Sequence, residues 1–315
     1  MPKSESSVGR TVLTRLAGIS VLGATALGYG ALIERNLYIL RRFDVPVLAV
    51  GSRPIRVLHL SDVHLTADQR RKVDWLHGLA SLHPDLVVST GDHLGGADAI
   101  ANTLRAHEPL MKFPGVFVWG NNDHFAPVPK SPGRYFKPSR TRKKRGHRID
   151  LAPLADGFER GGWVQLNNAA RTMPIAGRKI FFGGLDDPHL KKDRFEKIAG
   201  QVDPDADLRI GIMHSPEPRL LNRYGDEGYE LLLAGHTHGG QIRLPFYGAL
   251  VTNCDIDRQR ARGPSSWCSP NGFLSQLHVS AGLGTSPYAP IRFCCRPEAT
   301  LLTLVPTDGR TRGGV

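Results

Sequence analysis

Short apolar runs alternate with helix-like segments along the first half of the chain. The runs at residues 55–60, 86–88 and 116–119 are too short for buried helices and predict buried strands. Residues 68–82 repeat apolar side chains at helical spacing, and residues 97–108 are predicted to form a second helix. This alternation predicts an α/β fold whose functional residues gather at the carboxyl ends of the strands.

The second half of the chain continues with short strand-like runs and fewer helices. Helices are predicted at residues 193–200 and 217–225, and no internal repeat is visible. The two halves therefore predict two sheets that pack face to face, with helices on the outside. The predicted strands of this half occupy residues 163–166, 179–182, 208–213, 231–234, 278–281 and 301–305.

An uncharged apolar run precedes this pattern. Residues 16–33 hold no charged side chain over 18 positions, which is near the lower limit for a helix that spans a bilayer. The glycines of the run favour a membrane helix over a buried globular one, while Ala24-Thr25-Ala26 leaves a cleavable secretory signal open. Basic residues flank both ends, so the positive-inside rule assigns no orientation. We expect an anchor with its connector from residue 34 at 1–54, one domain at 55–305 and a polar tail at 306–315.

The composition limits the classes of molecule that the protein is expected to bind, but it does not identify one of them. The chain has 315 residues, of which 40% are apolar, and this is enough for a sizeable core. The formal net charge of +12 favours anionic partners, namely nucleic acid, acidic lipid or a phosphorylated substrate. The basic run at 140–145 lies in a predicted long loop, 125–150, and is either a solvated surface or a contact with acidic lipid head groups. Nucleic acid is disfavoured because only Tyr135 and Phe136 lie close enough to stack with bases.

The four cysteines carry little functional signal. They form no C-x-x-C pair, so a zinc knuckle or a redox motif is unsupported. Buried free thiols are the favoured interpretation. A disulfide from Cys294 or Cys295 to Cys254 or Cys268 stays open.

Residues with metal-binding side chains follow the apolar runs. His236 and His238 lie two apart on a glycine-bracketed turn, so their side chains can diverge toward two neighbouring ions. One such pair is a weak signal, but four further groups occur at the ends of predicted strands. They are Asp62-Val63-His64, Gly91-Asp92, Gly120-Asn121-Asn122-Asp123 and Met213-His214-Ser215.

In this order, the five groups resemble the motif set of the calcineurin-like metallophosphoesterase family. The resemblance covers about residues 50–305, and residues 280–286 and 296–298 are similar to a membrane-anchored, phosphodiesterase-like branch of that family. It implies a four-layer α/β/β/α sandwich, here preceded by an N-terminal hydrophobic helix. It also implies hydrolysis of a phosphoric ester by hydroxide that two divalent metal ions activate.

The resemblance further implies a ligand set for two ions. The carboxylate of Asp92 would bridge them. Mixed imidazole and carboxylate ligands favour manganese, iron or zinc over calcium. Two carboxylates and a hydroxide leave a residual positive charge on two divalent ions, which suits an anionic substrate. The first metal shell would comprise Asp62, His64 and His238, and the second Asn121, His214 and His236.

One position departs from the family's pattern. The family commonly has His directly after the metal-binding Asn, near the leaving group, and this chain has Asn122 there. An amide cannot donate a proton as an imidazolium does. Either His124 or, as the weaker candidate, His189 replaces it, or the leaving group departs unaided. His59 is predicted to lie in the core or beside the ligands, and His93 in an exposed loop.

Together these observations predict a membrane-associated dimetal phosphoesterase with Asp92, Asn122 and His124 as catalytic residues. The favoured substrate is a phosphodiester or pyrophosphate, in a small molecule or a lipid. The alternatives are a UDP-2,3-diacylglucosamine-type pyrophosphatase and a non-catalytic metal-binding scaffold. On the family resemblance, we expect the catalytic domain to lie outside the cytoplasm.

Overall fold

The computed structural model describes residues 5–129 and 146–307, so the basic run at 140–145 lies outside the described residues. Its helices are α1 (Glu5–Leu32), α2 (Arg70–Gly78), α3 (Ile100–His107), α4 (Asn121–His124), α5 (Ala152–Arg160) and α6 (Pro218–Asp226). Short 3-10 turns occur at Glu34–Asn36, Leu79–Leu82, Ala97–Ala99, Glu108–Leu110, Phe195–Lys197 and His238–Gly240. The helices predicted at 68–82, 97–108 and 217–225 are thereby confirmed.

Two six-stranded sheets form the centre of the fold. The strands of the first are β1 (Ile39–Leu48), β2 (Ile55–Leu60), β3 (Leu86–Ser89), β4 (Gly115–Phe117), β5 (Trp163–Gln165) and β14 (Glu298–Pro306), in the order β1-β14-β2-β3-β4-β5. The strands of the second are β6 (Ala169–Ile175), β7 (Arg178–Gly184), β8 (Leu208–Ile212), β9 (Leu231–Ala234), β12 (Gly263–Cys268) and β13 (Leu274–Val279), in the order β12-β13-β9-β8-β7-β6. A small antiparallel pair, β10 (Arg243–Leu244) and β11 (Gly248–Ala249), lies outside both sheets.

The two faces of each sheet bury different layers. Successive side chains of a strand point to opposite faces, and in β2 Ile55 and Val57 belong to the apolar layer between the sheets, which Ile210 of β8 joins from the other side. Leu58 and Leu60 belong instead to the cluster on the outer face of the first sheet, with residues of α2, α3 and α5. A third cluster packs α6 against the outer face of the second sheet. The predicted four-layer α/β/β/α sandwich is confirmed.

Residues 34–54 are more ordered than the predicted connector. They contain β1, a strand of 10 residues that pairs in parallel with β14 at the edge of the first sheet. Val45 and Val47 are buried in the layer between the sheets. Charged Arg41, Arg42 and Asp44 interrupt the apolar pattern, because the first part of this edge strand faces solvent, and this concealed the strand in the sequence.

Two further edge strands and one helix differ from the predictions. β6 and β12 were not predicted, because each lies at an edge of the second sheet and buries few of its side chains. Edge strands of this kind carry polar residues, glycine and proline, which weaken the strand pattern. The helix predicted at 193–200 was wrong, since only the 3-10 turn Phe195–Lys197 forms there.

The N-terminal apolar run forms the long helix α1. The span Thr14–Asn36 has 23 residues, a mean hydropathy of 1.7 and only 6% of its apolar window buried. Large apolar side chains such as Leu22 and Leu32 are each 72% exposed. By length and composition the helix is a candidate to cross a membrane, and a signal sequence meets the same criteria.

The cysteines are free thiols, as predicted, and none forms a disulfide. Only Cys295 is fully buried, whereas Cys268 and Cys294 are exposed. The predicted burial is therefore fully confirmed only for Cys295.

A buried pair of histidines links the two sheets. His59 of β2 and His278 of β13 approach with Nδ1 atoms 2.9 Å apart, and His59 Nε2 lies 3.0 Å from Thr90 Oγ1. Burial lowers the pKa of His278 to about 3. Burial and the neighbouring His278 hold the pKa of His59 well below its usual range. The prediction that His59 lies in the core is confirmed.

Acid should destabilise the fold through this pair. Because the pKa values in the folded protein lie below the ordinary 6.5, the unfolded chain binds more protons, and stability falls as pH decreases through about 6.5. Between about pH 7 and about pH 5, each histidine should lower the free energy of unfolding by roughly 2 kcal/mol. Denaturant titrations at the two pH values measure this loss.

The double substitution His59→Leu with His278→Leu provides the comparison. It removes both titrating groups together, so neither is left buried without its partner. We expect this variant to lose less stability over the same pH interval than the unsubstituted protein. An equal loss would show that the acid sensitivity arises elsewhere.

Candidate metal centre

The carboxyl ends of strands from both sheets meet at one edge of the sandwich. Asp62 follows β2, Asp92 follows β3, and His214 and His236 follow β8 and β9. Backbone hydrogen bonds of 2.9 Å join neighbouring strand ends, from Asp62 N to Gly91 O and from Gly235 N to His214 O. The sequence motifs therefore converge on one place.

A first cluster of ligand atoms comprises Asp62, His64 and His238. One ligand atom from each lies within 4.8 Å of the others, and all three residues are buried. The Nε2 atoms of His64 and His238 are 3.3 Å apart, and His238 Nε2 is 3.5 Å from Asp62 Oδ1. Three ligand atoms are thus close enough to hold one metal ion.

A second cluster lies beside the first and shares the carboxylate of Asp62 with it. Asp62, Asp92 and His214 bring ligand atoms within 4.8 Å of one another, and His236 Nδ1 is 3.2 Å from His214 Nε2. Asp92 Oδ2 lies 3.4 Å from His64 Nε2 and 3.5 Å from His214 Nε2. One oxygen of Asp92 therefore faces both clusters.

The two asparagines of the 120–123 group lie on the short helix α4. Asn121 begins the helix and is partly buried. Asn122 donates to both oxygens of Asp92, from its backbone N to Oδ1 at 2.8 Å and from Nδ2 to Oδ2 at 2.6 Å. The amide that replaces the family's histidine is therefore engaged with the central carboxylate.

The backbone at these positions is unusual. Asp62, His64, Asp92, His236 and His238 all have positive φ, between 44° and 67°. Residues other than glycine rarely adopt this left-handed conformation, which costs of order 1 kcal/mol or more at each position. Such a concentration of five residues at three strand ends is typical of a functional site, where the geometry of the side chains outweighs local strain.

Two glycines allow the loops to approach one another. A Cβ atom at Gly120 would lie 2.3 Å from Asp92 Oδ1, and one at Gly235 would lie 1.8 Å from Ser61 Oγ. Both distances are far below van der Waals contact, so a larger residue would displace the carboxylates or the strand ends. The glycines of the motifs thus have a packing role.

Two of the imidazoles are oriented by the backbone. His214 Nδ1 lies 2.7 Å from Thr90 O, and His238 Nδ1 lies 3.2 Å from Gly284 O. Since a carbonyl only accepts, each Nδ1 carries the proton, and the Nε2 of the neutral ring keeps its lone pair for the cluster. Hydrogen bonds of this kind commonly fix the tautomer of metal-binding histidines.

Burial and mutual charge set the protonation of the cluster. Burial lowers the pKa of His64 to about 4, and burial with the nearby Arg292 lowers that of His238 to about 3, so both rings are neutral. Burial opposes ionisation of Asp92, but His214 and His64 outweigh it and hold its pKa well below the usual range. Burial also opposes the positive charge on His214. The neighbouring Asp92 carboxylate outweighs this effect and raises the pKa of His214 well above its usual range.

These residues fit divalent metal ions. Among the described residues, the buried atoms Asp62 Oδ1 and His236 Nε2 have no hydrogen-bond partner, although buried polar atoms are normally paired. Cations would satisfy these atoms and replace the proton on His214.

The loop after Asp92 is fixed by a carboxylate that the sequence did not single out for this role. Asp123 accepts from His93 N at 2.8 Å, from His93 Nδ1 at 3.0 Å and from Gly120 N at 3.0 Å. The ring of His93 is fully buried, and its Nε2 lies 2.8 Å from Ser89 Oγ. The prediction that His93 lies in an exposed loop was therefore wrong.

The two remaining candidate histidines lie in different surroundings. The ring of His189 stands 4.9 Å from that of His236, so this residue reaches the site although it was the weaker candidate. His124 Nε2 lies 2.7 Å from Asp186 Oδ1, at the wall of a cavity of about 550 Å³. Burial raises the pKa of the adjacent Asp187 to about 7.

Sequence reasoning assigned no role to Asp186, Asp187 or Arg292. The fully buried Arg292 guanidinium donates to Gly284 O at 2.7 Å and lies 3.4 Å from His238 Nδ1. A single arginine between Ile291 and Phe293 carries no local signal of burial. The pair Asp186-Asp187 does follow an apolar strand, as the other motifs do, and this placement was the available clue.

A comparison with known families agrees with this geometry. The family model for calcineurin-like phosphoesterases matches residues 55–240, which is more than half of the chain. The chain belongs to this family. Members are metal-dependent hydrolases of phosphorylated substrates and use two metal ions, so this calcineurin-like phosphoesterase is a metal-dependent hydrolase with candidate ligand groups for its ions.

Individual relatives match along nearly the whole chain. The uncharacterized metallophosphoesterase YkuE of Bacillus subtilis is 27% identical over 308 residues, covering 93% of this chain and 94% of the relative. The phosphodiesterase YaeI of Escherichia coli is 24% identical over 311 residues, covering 95% of this chain and 100% of the relative. Among solved structures, TT1561 of Thermus thermophilus aligns with a TM-score of 0.43 and 11% identity, over 73% of this chain and 91% of that chain.

Replacement of Asp92 by Asn should release metal from this phosphoesterase. The amide keeps the size of the side chain but removes the negative charge that faces both clusters. We expect metal analysis of the purified full chain to give close to two ions per molecule, and at most one for Asp92→Asn, with hydrolysis of an aryl phosphodiester abolished.

Asp68→Asn is the matched control, because Asp68 is an exposed carboxylate outside the clusters. It should keep both the metal content and the activity. Unchanged metal content in a folded Asp92→Asn protein would contradict the role given to this carboxylate.

Proposed function

We propose that this protein is a membrane-anchored dimetal phosphodiesterase. The observation that carries the proposal is Asp92 Oδ2, 3.4 Å from His64 Nε2 and 3.5 Å from His214 Nε2, since a bridging carboxylate must face two ions. In this proposal Asp92 would face both ions. The first ion would be held by Asp62, His64 and His238, and the second by Asn121, His214 and His236.

When bound, the two ions supply Lewis-acid activation of water and neutralise the charge of the phosphoryl oxygens. Mixed nitrogen and oxygen ligands suit manganese, iron or zinc. The chain's own contribution is to hold these ligands in place before substrate arrives. Asn122 is a positioning residue in this scheme, because its two hydrogen bonds fix the orientation of the Asp92 carboxylate.

His124 is the proposed proton donor to the leaving group. It lies three residues after Asn121 on α4, so both side chains are on the same helix face. Burial opposes ionisation of Asp186, but the hydrogen bond from His124 outweighs it and lowers the Asp186 pKa. With Nε2–H donated to this carboxylate, Nδ1 is the nitrogen available to an oxygen in the adjoining cavity, which Trp119 and Gln165 also line.

The substrate class follows from the relatives and from the cavity. YaeI, which matches this chain along almost its entire length, is named a phosphodiesterase. The cavity of about 550 Å³ beside His124 has room for a second ester group. A pyrophosphate, as in UDP-2,3-diacylglucosamine, is the second candidate, because a phosphate leaving group needs no donor. Family membership favours either enzyme over a non-catalytic scaffold.

The membrane part of the proposal is supported by α1. Its apolar side chains are exposed, and its span of 23 residues is long enough to cross the hydrocarbon core of a bilayer. The resemblance to a membrane-anchored branch supports a catalytic domain outside the cytoplasm. Substrates borne by lipids would then lie within reach of the site.

Removal of the proposed donor should affect poor leaving groups selectively. General acid catalysis contributes about 10²–10⁴-fold, and only where the departing oxygen needs a proton. We expect His124→Ala to lower kcat for alkyl phosphodiesters by about that factor and to leave aryl phosphodiesters nearly unchanged. Asp186→Asn should show the same selectivity with a smaller loss. Values of kcat for a series of phosphodiesters whose leaving groups differ in pKa test both variants.

His83→Ala is the control, since His83 is an exposed histidine of the same half of the chain. Equal losses for alkyl and aryl esters in His124→Ala would mean that His124 supports the ligands rather than the leaving group. No loss for either would favour unaided departure, and with it the pyrophosphate candidate.

A further inference from the structure

The end of helix α1 is fixed to the catalytic domain. Gly30 O accepts a hydrogen bond from Arg292 N at 3.1 Å, and a Cβ at Gly30 would lie 2.6 Å from Arg292 O, so the two backbones are in close contact. The buried carboxylate of Glu34 accepts from Cys294 N at 3.0 Å and from Cys295 N at 2.6 Å. The helix therefore leaves the domain at one defined place.

A hairpin lies beside this exit. Residues 242–251, which contain β10 and β11, are called the hairpin here. Ile242 forms a bridge with Phe293, and Arg243 N donates to Phe293 O at 2.9 Å. Phe293 follows Arg292, so one short segment binds α1 and the hairpin in succession. Paired segments lie about 4.8 Å apart, which puts the hairpin base within roughly 10 Å of the helix.

The hairpin exposes large apolar side chains. Phe246 at its tip is fully exposed, and its φ of +64° is rare for a bulky residue, so the turn holds this ring away from the domain. Gln241 Nε2 donates to Ala289 O at 2.6 Å and so attaches the neighbouring loop. The apolar rim is defined as Leu244, Phe246, Tyr247, Leu250, Val251 and Tyr288, each at least 39% exposed.

Basic side chains surround the base of this rim. Arg243, Arg258 and Arg262 line a cavity of about 460 Å³ whose wall includes Phe246 and Tyr247. The Arg258 guanidinium lies 4.9 Å from the centre of the Tyr247 ring. Aromatic and aliphatic side chains next to arginines match the boundary between acyl chains and acidic head groups.

We propose that the apolar rim inserts into the surface of an anionic lipid bilayer beside α1. The proposal rests on the membrane anchoring proposed above and adds a second contact, which fixes the orientation of the domain. Two observations select the bilayer as the occupant. The rim is continuous with the exit of an apolar helix, and its arginines complement acidic lipids.

The rim is joined directly to the candidate metal centre. Arg243 Nη1 donates to Gly239 O at 2.8 Å, in the turn that carries His238. Arg292, whose backbone binds α1, lies 3.4 Å from His238 Nδ1 through Nη2. An inserted rim would therefore hold the centre close to the bilayer surface, where the phosphodiester groups of lipids lie.

Tryptophan fluorescence of the full chain on phosphatidylserine-containing vesicles tests the proposal. Because residue 246 is fully exposed, Phe246→Trp leaves the packing intact. We expect the emission gained by this variant to shift to the blue, to be quenched by brominated acyl chains and to be shielded from iodide. Leu274→Trp is the matched control, since Leu274 is 51% exposed and begins β13 at the end opposite the metal centre. Its emission should remain quenched by iodide and not by lipid.

Flotation of the same samples separates this proposal from the anchoring of α1. If the chain floats with the vesicles while residue 246 stays accessible to iodide, the rim does not insert and the proposal is overturned, although the anchor stands. If the chain does not float, the anchor fails and the rim with it. Equal shielding on phosphatidylcholine vesicles would overturn the requirement for anionic lipid.

Discussion

The carboxylate of Asp92 is buried at the meeting point of two sheets, and most of the site is arranged around it. Asn122 donates to both of its oxygens, while His64 and His214 each approach Oδ2 to within 3.5 Å. A buried carboxylate is costly unless it is paired or ligates a cation. The imidazoles of His64 and His238 are neutral, so their lone pairs are available to cations. The left-handed backbone at the strand ends, and the absence of a side chain at Gly120, are the local conditions that allow this arrangement.

The sandwich explains why such a centre can form from distant segments. Parallel strands end at the same edge of a sheet, and the apolar layer between the sheets holds the two edges together. Ligands from β2 and β3 then meet those from β8 and β9 without any local sequence connection. The rigidity of the strands, rather than of the loops, keeps the donor atoms in register.

The sequence predicted those parts of the architecture that depend on residues close together in the chain. Central strands are continuous apolar runs, and the metal-binding side chains follow them directly, so the clusters could be anticipated. Edge strand β1 was not, because Arg42 and Asp44 face solvent and break the apolar pattern. The burial of His93 depends on Asp123, 30 positions later, and the burial of Arg292 depends on carbonyl groups of the 281–284 loop. Such contacts between distant residues leave no periodic pattern in the sequence from which they could be predicted.

Two ions flanking Asp92 are the central claim of this account. Anomalous X-ray diffraction from crystals of the manganese-loaded protein tests it most directly. The account predicts two peaks about 3.5–4 Å apart, one beside His64 and His238, the other beside His214 and His236, with Asp92 between them. A single peak, or peaks that do not share Asp92, would contradict it.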